Sequence, residues 1–437
     1  MAGVRFDAAK ADSLNSMSHD HHSWRIGKDP PLIRPHSLAK HRVLRAYLER
    51  YVSVLTGNPR QDQLRLTLVD GFAGGGMYLD SRSREERPGS PLLMLDAMKS
   101  AAAKAQQARS KPFDLDVQYL FVEKKRESLE HLWQVLSKSE FGPQMADRIH
   151  LLQGEFDSHV SAIIDFVKGR GPAGRAIFVL DQYWYTDVPL PTIRKILATL
   201  DNAEVILTFS TDFLIDYLSG NELTQQILEK IGIDLPSRTI ASAKEERAWR
   251  RTIQFALHQE IPEKTGARFY TPFFIRSDDS HRDFWLIHLS GHFRARDVMV
   301  GLHWQESTAF AHYGRSGLRM LGYDQNQDAE WTKQQMLPGF FFDETALVSS
   351  QEELLEQLPE RVYKFKGGIP FNELFAGLTN ECPVTAQIMK DVLSDLASQG
   401  VIRVQDKKGS ARRRGIKHGS DIIIPRMQKR LFDMKST

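Results

Sequence analysis

Residues 64–78, which read LRLTLVDGFAGGGMY, constrain the fold of this chain more than any other stretch. The stretch begins with an apolar run that has the length and composition of a buried strand. Asp70 ends the run, and four of the next six residues are glycine. Such a turn favours positive φ angles and lets a ligand approach the backbone closely. This pattern predicts a nucleotide-like ligand at the carboxyl edge of an open α/β sheet.

The glycines do not form either of the common phosphate-binding motifs. Their order and spacing do not fit the dinucleotide fingerprint, and no Gly-Lys-Ser/Thr follows, as it would in a P-loop. Because a glycine turn also occurs in plain loops, its meaning depends on the strands that follow it.

Three later apolar runs end in polar or aromatic residues in the same way. They are 117–122 closed by Glu123, 149–152 leading to Asp157, and 176–180 closed by Asp181. Helical segments separate the runs, and this alternation favours a parallel sheet with right-handed crossovers. In that architecture the acid that closes the second strand holds a ribose diol, which assigns this role to Glu123. Residues 205–209 predict a fifth strand, whereas the charged segment 81–88 predicts a loop.

The composition is that of an ordinary globular protein. The 437 residues leave room for roughly two to three domains. Hydrophobic residues make up 41% of the sequence, and no apolar run reaches the ~18–20 residues of a membrane span, so we expect no membrane partner. The N-terminus lacks the apolar segment of a signal peptide. A single cysteine, Cys382, excludes an internal disulfide and a cysteine-rich metal site within the chain, which favours a cytoplasmic location and predicts no metal.

The charge is unevenly distributed along the chain. The net charge is +3, but residues 401–437 contain eleven Lys/Arg and three Asp/Glu, a local excess of eight positive charges. A basic end on a slightly acidic body predicts contact with nucleic acid, and a merely solvated positive face is the alternative.

The N-terminal residues 1–33 are polar and predict a flexible tail that includes a small histidine cluster. Ser37 then predicts the cap of a helix over residues 38–55. His36 and Lys40 lie at its start, where an amino group can meet a ligand carboxylate. An exposed lysine beside a capping histidine is the alternative.

Taken together, these motifs resemble class I S-adenosylmethionine-dependent methyltransferases. The resemblance is carried by Asp-Gly-Phe-Ala-Gly-x-Gly-x-Tyr at 70–78, by Gly89-Ser90-Pro91, and by Glu123 and Asp181. More closely, the chain resembles the three-Cys-motif partner family, which also shares the Pro-His-Ser-Leu-Ala-Lys opening at 35–40. Large-subunit rRNA adenine N6-methyltransferases have a similar glycine turn. The resemblance covers about residues 34–311, and a winged-helix tail is also familiar from the partner family.

The resemblance implies a Rossmann-like, mostly parallel sheet, with strand seven inserted between strands five and six, and S-adenosylmethionine as cofactor. The residues that it assigns to the cofactor are Asp70, Gly71, Phe72, Ala73, Gly74, Gly76, Glu123, Asp157, His36 and Lys40. It assigns Asp157 to the adenine amine.

The acceptor motif departs from the family pattern. Amino-directed methyltransferases carry Asp/Asn-Pro-Pro-Tyr/Phe at this position, where the polar group accepts from the exocyclic amine and the ring stacks on the base. This chain has Asp181-Gln182-Tyr183-Trp184. We expect catalytic roles for Asp181, Tyr183 and Trp184; hydrophobic packing of the aromatics is the alternative. Because both prolines are missing, N6-adenine chemistry does not carry over directly, and an inactive ligand-binding site is also an expectation.

The C-terminal part predicts a winged helix. Three helical segments come first, and the third is predicted over residues 386–398, with Thr385 at its start and Gly400 at its end. Two short strands follow, and a basic, glycine-flanked loop joins them. The residues expected to contact phosphates are Lys407, Lys408, Arg412, Arg413 and Arg414. Such modules also dock proteins. The predicted domains are 34–311 with a helical insertion at 218–265, a connector at 312–349, and the winged helix at 350–437.

The sequence therefore predicts a methyltransferase-like protein that acts on DNA or RNA. One alternative is a catalytically inactive adaptor for a three-cysteine, radical-type protein, in phage defence or nucleic-acid modification. A transcription-factor-like DNA binder ranks last, because it leaves the larger N-terminal part without a role.

Overall fold

The structure is a computed structural model of two compact units. It describes residues 24–58, 60–182, 186–209, 222–234, 257, 259–276, 283–306, 311–312, 317–318, 340–382, 384–412 and 415–426. The first unit comprises Met1–Ala241, Glu260–Arg268 and Ile275–Gly291. The second comprises Ser242–Gln259, Phe269–Phe274 and His292–Thr437. The domain boundaries predicted from the sequence stay predictions.

Strands and helices alternate in the first unit. Its strands are β1 (Leu32–Ile33), β2 (Gln63–Asp70), β3 (Met77–Asp80), β4 (Glu86–Pro88), β5 (Asp114–Glu123), β6 (Ile149–Gln153), β7 (Arg175–Leu180) and β8 (Ala203–Phe209), followed by β10 (Asp283–Ser290). Its helices are α1 (Pro35–Leu55), α2 (Ser90–Gln107), α3 (Arg126–Lys138), α4 (Phe156–Gly169), α5 (Leu190–Thr199) and α6 (Glu222–Ile231), with a short 3-10 helix at Gly142–Ala146. Strand β9 (Phe269–Arg276) has its last two residues in this unit.

The strand order confirms the predicted fold class. The main sheet contains the order β6-β5-β2-β7-β8-β10-β9. Strands β6, β5, β2, β7 and β8 are parallel, and β10 runs antiparallel to β8. Counted along the chain, the seventh strand of this series lies between the fifth and the sixth. The fold is class I methyltransferase-like.

The register brings the acids that close the central strands to one edge of the sheet. Asp70 lies opposite Phe121 on β5 and opposite Val179 on β7. Glu123 and Asp181 each come two residues after these partners. Because parallel strands end at the same edge, Asp70, Glu123 and Asp181 all lie at the carboxyl edge of the sheet.

Helix α1 starts earlier than the sequence predicted. It begins at Pro35, and its cap residue Arg34 makes no side-chain capping bond, so Ser37 is not the cap. The fixed φ of proline suits the first helical position, where its missing N–H is not needed. The helix buries Tyr47, Leu48 and Val52.

A small sheet in the first unit was missed. Strands β1, β3 and β4 form it, although residues 81–88 were expected to be a loop. The Leu79 N–H donates to the Pro31 carbonyl at 3.0 Å, so residues assigned to the tail run along β3 instead. Trp24 is buried, at 5% exposure.

The second unit contains the winged helix. Its elements are α7 (Phe293–Glu306), β11 (Ala311–His312), β12 (Phe340–Phe341), α8 (Glu344–Tyr363), β13 (Ile369–Pro370), α9 (Phe371–Leu378), α10 (Ala386–Ser398), β14 (Ile402–Gln405) and β15 (Ile422–Pro425). Helices α8 to α10 pack on a sheet of order β13-β15-β14, which confirms the predicted winged helix. Helix α10 has its predicted bounds: the Thr385 hydroxyl accepts from the Ile388 N–H at 3.2 Å, and Gly400 follows with φ +77°.

A buried arginine fastens α7 within the second unit. Arg296 is 0% exposed, and its Nη1 donates to the Val384 carbonyl at 2.6 Å. Its Nη2 donates to the carbonyl of Cys382, and its Nε donates to the Thr271 hydroxyl at 3.2 Å. No local sequence pattern distinguishes this arginine from the others. In the part of the chain that the structure describes, no helix is long and apolar enough to cross a membrane.

Candidate active site

The glycine turn after β2 is joined to both neighbouring strands. The Gly71 N–H donates to the Val179 carbonyl and the Ala73 N–H to the Val122 carbonyl, each at 2.9 Å. Gly74 and Gly76 have φ values of +62° and +86°, a backbone conformation that is unfavourable for residues with a Cβ atom. The predicted turn is therefore a fixed backbone surface at the edge of the sheet.

Glu123 holds this turn through its carboxylate. Its Oε2 accepts from the Gly74 N–H at 2.9 Å, and its Oε1 accepts from the Lys125 N–H at 2.8 Å. Burial raises the pKa of Glu123, and these hydrogen bonds oppose the rise. The Lys124 N–H also donates to this carboxylate, so three of its roughly four lone-pair sites are used and one remains for a hydroxyl group.

Asp70 is more deeply buried, at 1% exposure. Burial raises its pKa to about 7; hydrogen bonds from Ser90 and from the Phe72 N–H oppose the rise, while the charges of Asp181 and Glu123 add to it. The carboxyl group therefore titrates close to neutral pH, and a cation brought to this edge would favour its ionised form.

Asp181 forms an ion pair with Lys40. The Lys40 Nζ lies 2.5 Å from Oδ1 and 2.7 Å from Oδ2 of the carboxylate. Burial alone would raise the pKa of Asp181, but the charge and hydrogen bonds of Lys40 outweigh it, with help from Thr208 and His41, so the pKa is lowered. From the sequence, Lys40 was expected at the cofactor; in the structure it contacts Asp181, which was expected to orient the substrate.

Two residues beside this pair were not assigned a role from the sequence. Burial lowers the pKa of His41 to about 4, so its ring is neutral at pH 7. Burial raises the pKa of Tyr78, and the charges of Asp181, Asp70 and Glu123 raise it further, so the phenol is within electrostatic range of all three acids. The position of Tyr78 at the end of the glycine-rich motif of residues 70–78 could have indicated that it belongs to the site.

A buried polar cluster anchors α1 to the sheet. The Tyr47 hydroxyl donates to Oε2 of Glu204, and His288 Nε2 lies 3.1 Å from the same oxygen. Lys40 and Tyr47 are two helical turns apart and so share one face of α1. This cluster fixes the helix that presents Lys40 to Asp181.

Trp24 covers the outer side of the glycine turn. Its Nε1 donates to the Met77 carbonyl at 2.6 Å, and its ring meets Tyr78 edge-on at 5.1 Å between centroids. A Cβ at Gly74 would lie 2.7 Å from the Trp24 ring, and one at Gly75 would overlap it. The turn therefore needs glycine partly because this indole packs on it.

Other predicted residues lie apart from this group or outside the described residues. Asp157 is exposed on the first turn of α4, where it accepts from the Thr192 hydroxyl. Gln182 is 3% exposed and its Oε1 accepts from the Val188 N–H at 2.9 Å, so a local hydrogen bond holds this side chain. Tyr183 and Trp184 lie outside the described residues. His36 lies in the first turn of α1, before Lys40.

Glu155 is an acid at this edge that the sequence analysis did not select. It follows β6 as the cap residue of α4 and pairs with Lys124 at 2.8 Å, which lowers its pKa. Its neighbour Phe156 is buried, and a Cβ on Gly71 would lie 3.0 Å from that ring.

The predicted phosphate-contact residues of the wing differ in their surroundings. Lys407 and Lys408 are exposed on the loop. Arg412 instead pairs with Asp421, its Nη2 lying 2.9 Å from Oδ1, so it stabilises the wing from within. Arg413 and Arg414 lie outside the described residues.

Comparison with known proteins supports the winged helix directly. The model of the GMT-like wHTH domain matches residues 322–409, and no curated protein matches the chain. This part of the chain is thus similar to GMT-like winged helix-turn-helix domains.

Several solved structures resemble the chain only weakly. Protein LPL1258 from Legionella pneumophila is 10% identical over 57% of this chain and 84% of its own, with a TM-score of 0.34. An O-methyltransferase from Bacillus cereus in complex with SAH is 10% identical over 66% of this chain and 93% of its own, with a TM-score of 0.30. Fibrillarin from Aeropyrum pernix with natively bound S-adenosyl-L-methionine is 8% identical over 56% and 76%, with a TM-score of 0.25. These similarities are too weak to support a fold assignment, so the fold class rests on the strand order.

Proposed function

We propose that the first unit binds S-adenosylmethionine at the carboxyl edge of its sheet and that the protein transfers the methyl group to nucleic acid. The observation that carries this proposal is the grouping of Asp70, Glu123 and Asp181 around a fixed glycine turn at that edge.

The donor and acceptor groups at this edge fit the cofactor. Glu123 has acceptor capacity for the ribose hydroxyls. Asp70 and the turn at 71–76 offer a carboxyl group and backbone N–H groups to the methionine part, whose ammonium would favour an ionised Asp70. Asp157 is the proposed partner of the adenine amine, and its exposed carboxylate also accepts from the Thr192 hydroxyl.

The proposed chemistry asks little of the protein beyond positioning. Bound S-adenosylmethionine would supply a methyl group already activated by its sulfonium. Lys40 keeps Asp181 ionised, so Asp181 acts as a hydrogen-bond acceptor that orients an acceptor amine rather than as a strong base. Tyr183 and Trp184 would stack on the base, and His36 would complete the cofactor side of the site.

The winged helix and the basic C-terminal residues support nucleic acid as the substrate. Lys407 and Lys408 are exposed on the wing loop, and Arg413 and Arg414 follow in the same basic segment. An electrostatic contact of this kind suits the phosphate backbone of either DNA or RNA.

One observation favours the adaptor as a second candidate. Lys40 contacts both carboxylate oxygens of Asp181, so an incoming amine would have to compete with an existing ion pair. In this alternative the fold is catalytically inactive and the protein serves a three-cysteine partner.

Calorimetric titration of S-adenosylmethionine into the pure protein tests the proposal. We expect micromolar-range binding that Glu123→Ala weakens by at least about tenfold, because the variant removes a charged hydrogen-bond acceptor. The control is Glu140→Ala, which removes an exposed carboxylate paired with Lys99. Absence of heat from a protein with a cooperative thermal transition would contradict the proposal.

A further inference from the structure

The helix that a winged helix normally places in the major groove is poorly suited to phosphate here. That helix corresponds to α10, all of whose residues the structure describes. Its exposed side chains are Gln387, Asp391, Asp395 and Ser398. Both exposed charges are negative, and Lys390 is half-buried over the ring of Phe371. Carboxylates facing a phosphate backbone oppose binding.

A different surface of the same domain combines aromatic rings with positive charge. Tyr363 and Phe365 are 41% and 42% exposed, at the end of α8 and in the loop that follows. Lys364 and Lys366 alternate with them and are exposed. Large exposed rings flanked by lysines are unusual on a solvated loop, and they are a common arrangement for stacking on bases.

The base of the wing hairpin extends this surface. The Tyr363 hydroxyl donates to the carbonyl oxygen of Arg426 at 2.8 Å and lies 3.1 Å from the carbonyl oxygen of Val401. This places the aromatic residues beside the first residues of β14 and the last of β15. The wing tip with Lys407 lies at the other end of the same hairpin.

Two arginines lie on the outer face of this hairpin. Arg403 is paired across the strands with Ile424, and directly paired residues point to the same face. Arg426 follows two residues after Ile424 and is exposed, whereas Pro425 between them is buried. A Cβ on Gly368 would lie 2.8 Å from Ile424 Cγ1, so the loop after α8 packs against this face.

We define the aromatic-basic face by its exposed rings and cations. Its members are Tyr363, Lys364, Phe365, Lys366, Arg403 and Arg426. Lys364 lies 3.7 Å from Glu360, whereas Lys366, Arg403 and Arg426 form no ion pair with any described residue. The face therefore carries uncompensated positive charge beside open ring surfaces.

We propose that the aromatic-basic face binds single-stranded nucleic acid. Stacking on Phe365 and Tyr363 needs unpaired bases, which a duplex does not offer, and the four exposed cations of the same face would meet the phosphates of the bound strand. The inference deepens the nucleic-acid part of the proposed function, and it does not require the cofactor site.

Fluorescence anisotropy with the full chain tests this face without S-adenosylmethionine. The probes are a labelled single-stranded RNA, a single-stranded DNA of the same sequence, and the matching DNA duplex. Phe365→Ala should weaken single-strand binding by about tenfold, and Phe365→Trp should retain it. Lys364→Ala with Lys366→Ala should reduce the slope of log affinity against log salt by about 1.4, at about 0.7 per phosphate contact.

Lys407→Ala with Lys408→Ala removes the same charge from the wing tip, which the proposed function also places on nucleic acid, and so compares the two surfaces. We expect the wing-tip pair to change the affinity less than the pair on the aromatic-basic face. It is overturned if the duplex binds more tightly than both single strands, if Phe365→Ala binds as the wild type does, or if only the wing-tip pair matters. The two single-stranded probes distinguish RNA from DNA. A failed cofactor titration would leave these results intact.

Discussion

Two ion pairs of similar chemistry show how differently the two units use a carboxylate. Lys40 and Asp181 are 141 residues apart and join α1 to the end of β7, where the Asp181 side chain remains 37% exposed. Arg412 and Asp421 are nine residues apart within the wing, and the Asp421 side chain is 1% exposed. Asp421 also accepts from the N–H groups of Lys417 and His418, at 2.8 Å and 3.0 Å.

The difference lies in what remains available to a ligand. The Asp421 carboxylate accepts hydrogen bonds from Arg412, Lys417 and His418, all within one loop. Arg412 is therefore a structural residue, even though it lies in a basic segment that predicted a phosphate contact. Asp181 lies among Asp70, Glu123 and Tyr78, in a group of ionisable residues that no single element supplies. Such groups mark functional sites more often than isolated pairs do.

The largest expected effect concerns the pH dependence of Asp70. Its folded pKa of about 7 lies above the value of 3.8 for a free side chain, so between these values the folded state retains a proton that the unfolded state releases. The wild type should therefore lose stability as the pH rises from 4 to 7. Asp70→Asn mimics the protonated form, and its stability relative to the wild type should increase by about 4 kcal/mol over this range.

Urea denaturation at pH 4, 5.5, 7 and 8 measures this difference. If the difference in the free energy of unfolding between variant and wild type were the same at every pH, Asp70 would be ionised throughout. The carboxylates at this edge of the sheet would then not differ from Asp421 in the wing in this respect.

The second largest effect concerns the structural role of the Arg412–Asp421 ion pair in the wing. Asp421→Ala leaves Arg412 without its partner and removes the acceptor of two backbone N–H groups, so it should lower the free energy of unfolding by about 3 kcal/mol. Urea denaturation checks this against Asp391→Ala, an exposed control on α10. Equal stability of the two variants would mean that Arg412 is available for phosphate after all.

Gly75→Ala sharpens the description of the glycine turn. The added methyl group would overlap the Trp24 indole, and overpacking of this kind costs about 2 kcal/mol. Gly169→Ala is the control, because no atom lies within 4 Å of its added Cβ. In a Trp24→Ala background the penalty at Gly75 should shrink. An unchanged penalty in that background would contradict the packing of Trp24 on the turn.

The smallest effect concerns Lys40→Met. Lys40 lowers the pKa of Asp181, and a lowered pKa contributes stability that is present above pH 3.8 and lost as the pH falls through the folded value. Removing the charge should cost about 1 kcal/mol at pH 7, since the pair is partly exposed, and less at pH 3. Thermal melts at both pH values check the sign. A larger cost at pH 3 would contradict it.

The sequence predicted the elements that depend on local pattern. Strand β2 was identified from its apolar run, and α10 was predicted with its observed bounds because Thr385 and Gly400 mark its ends. The small sheet of β1, β3 and β4 was missed, since its strands are two to four residues long and are defined by pairing rather than by apolar periodicity.

Only the part of the site that depends on local sequence pattern was predicted. The acids that close β2, β5 and β7 could be found because each ends an apolar run. The contact between Lys40 and Asp181 and the packing of Trp24 on the turn depend on tertiary geometry, and nothing in the local sequence reports it. The role of Arg412 depends on Asp421 across the wing loop, which a count of positive charges cannot reveal.

Methyl transfer itself tests the central claim most directly. The purified protein would be incubated with S-adenosylmethionine carrying a labelled methyl group and with pooled single-stranded and duplex DNA and RNA. We expect label in a nucleic-acid fraction, lost with Asp181→Asn and retained with the exposed control Glu140→Ala. Cofactor binding without transfer to any of these acceptors would contradict catalysis and leave the adaptor as the function of the fold.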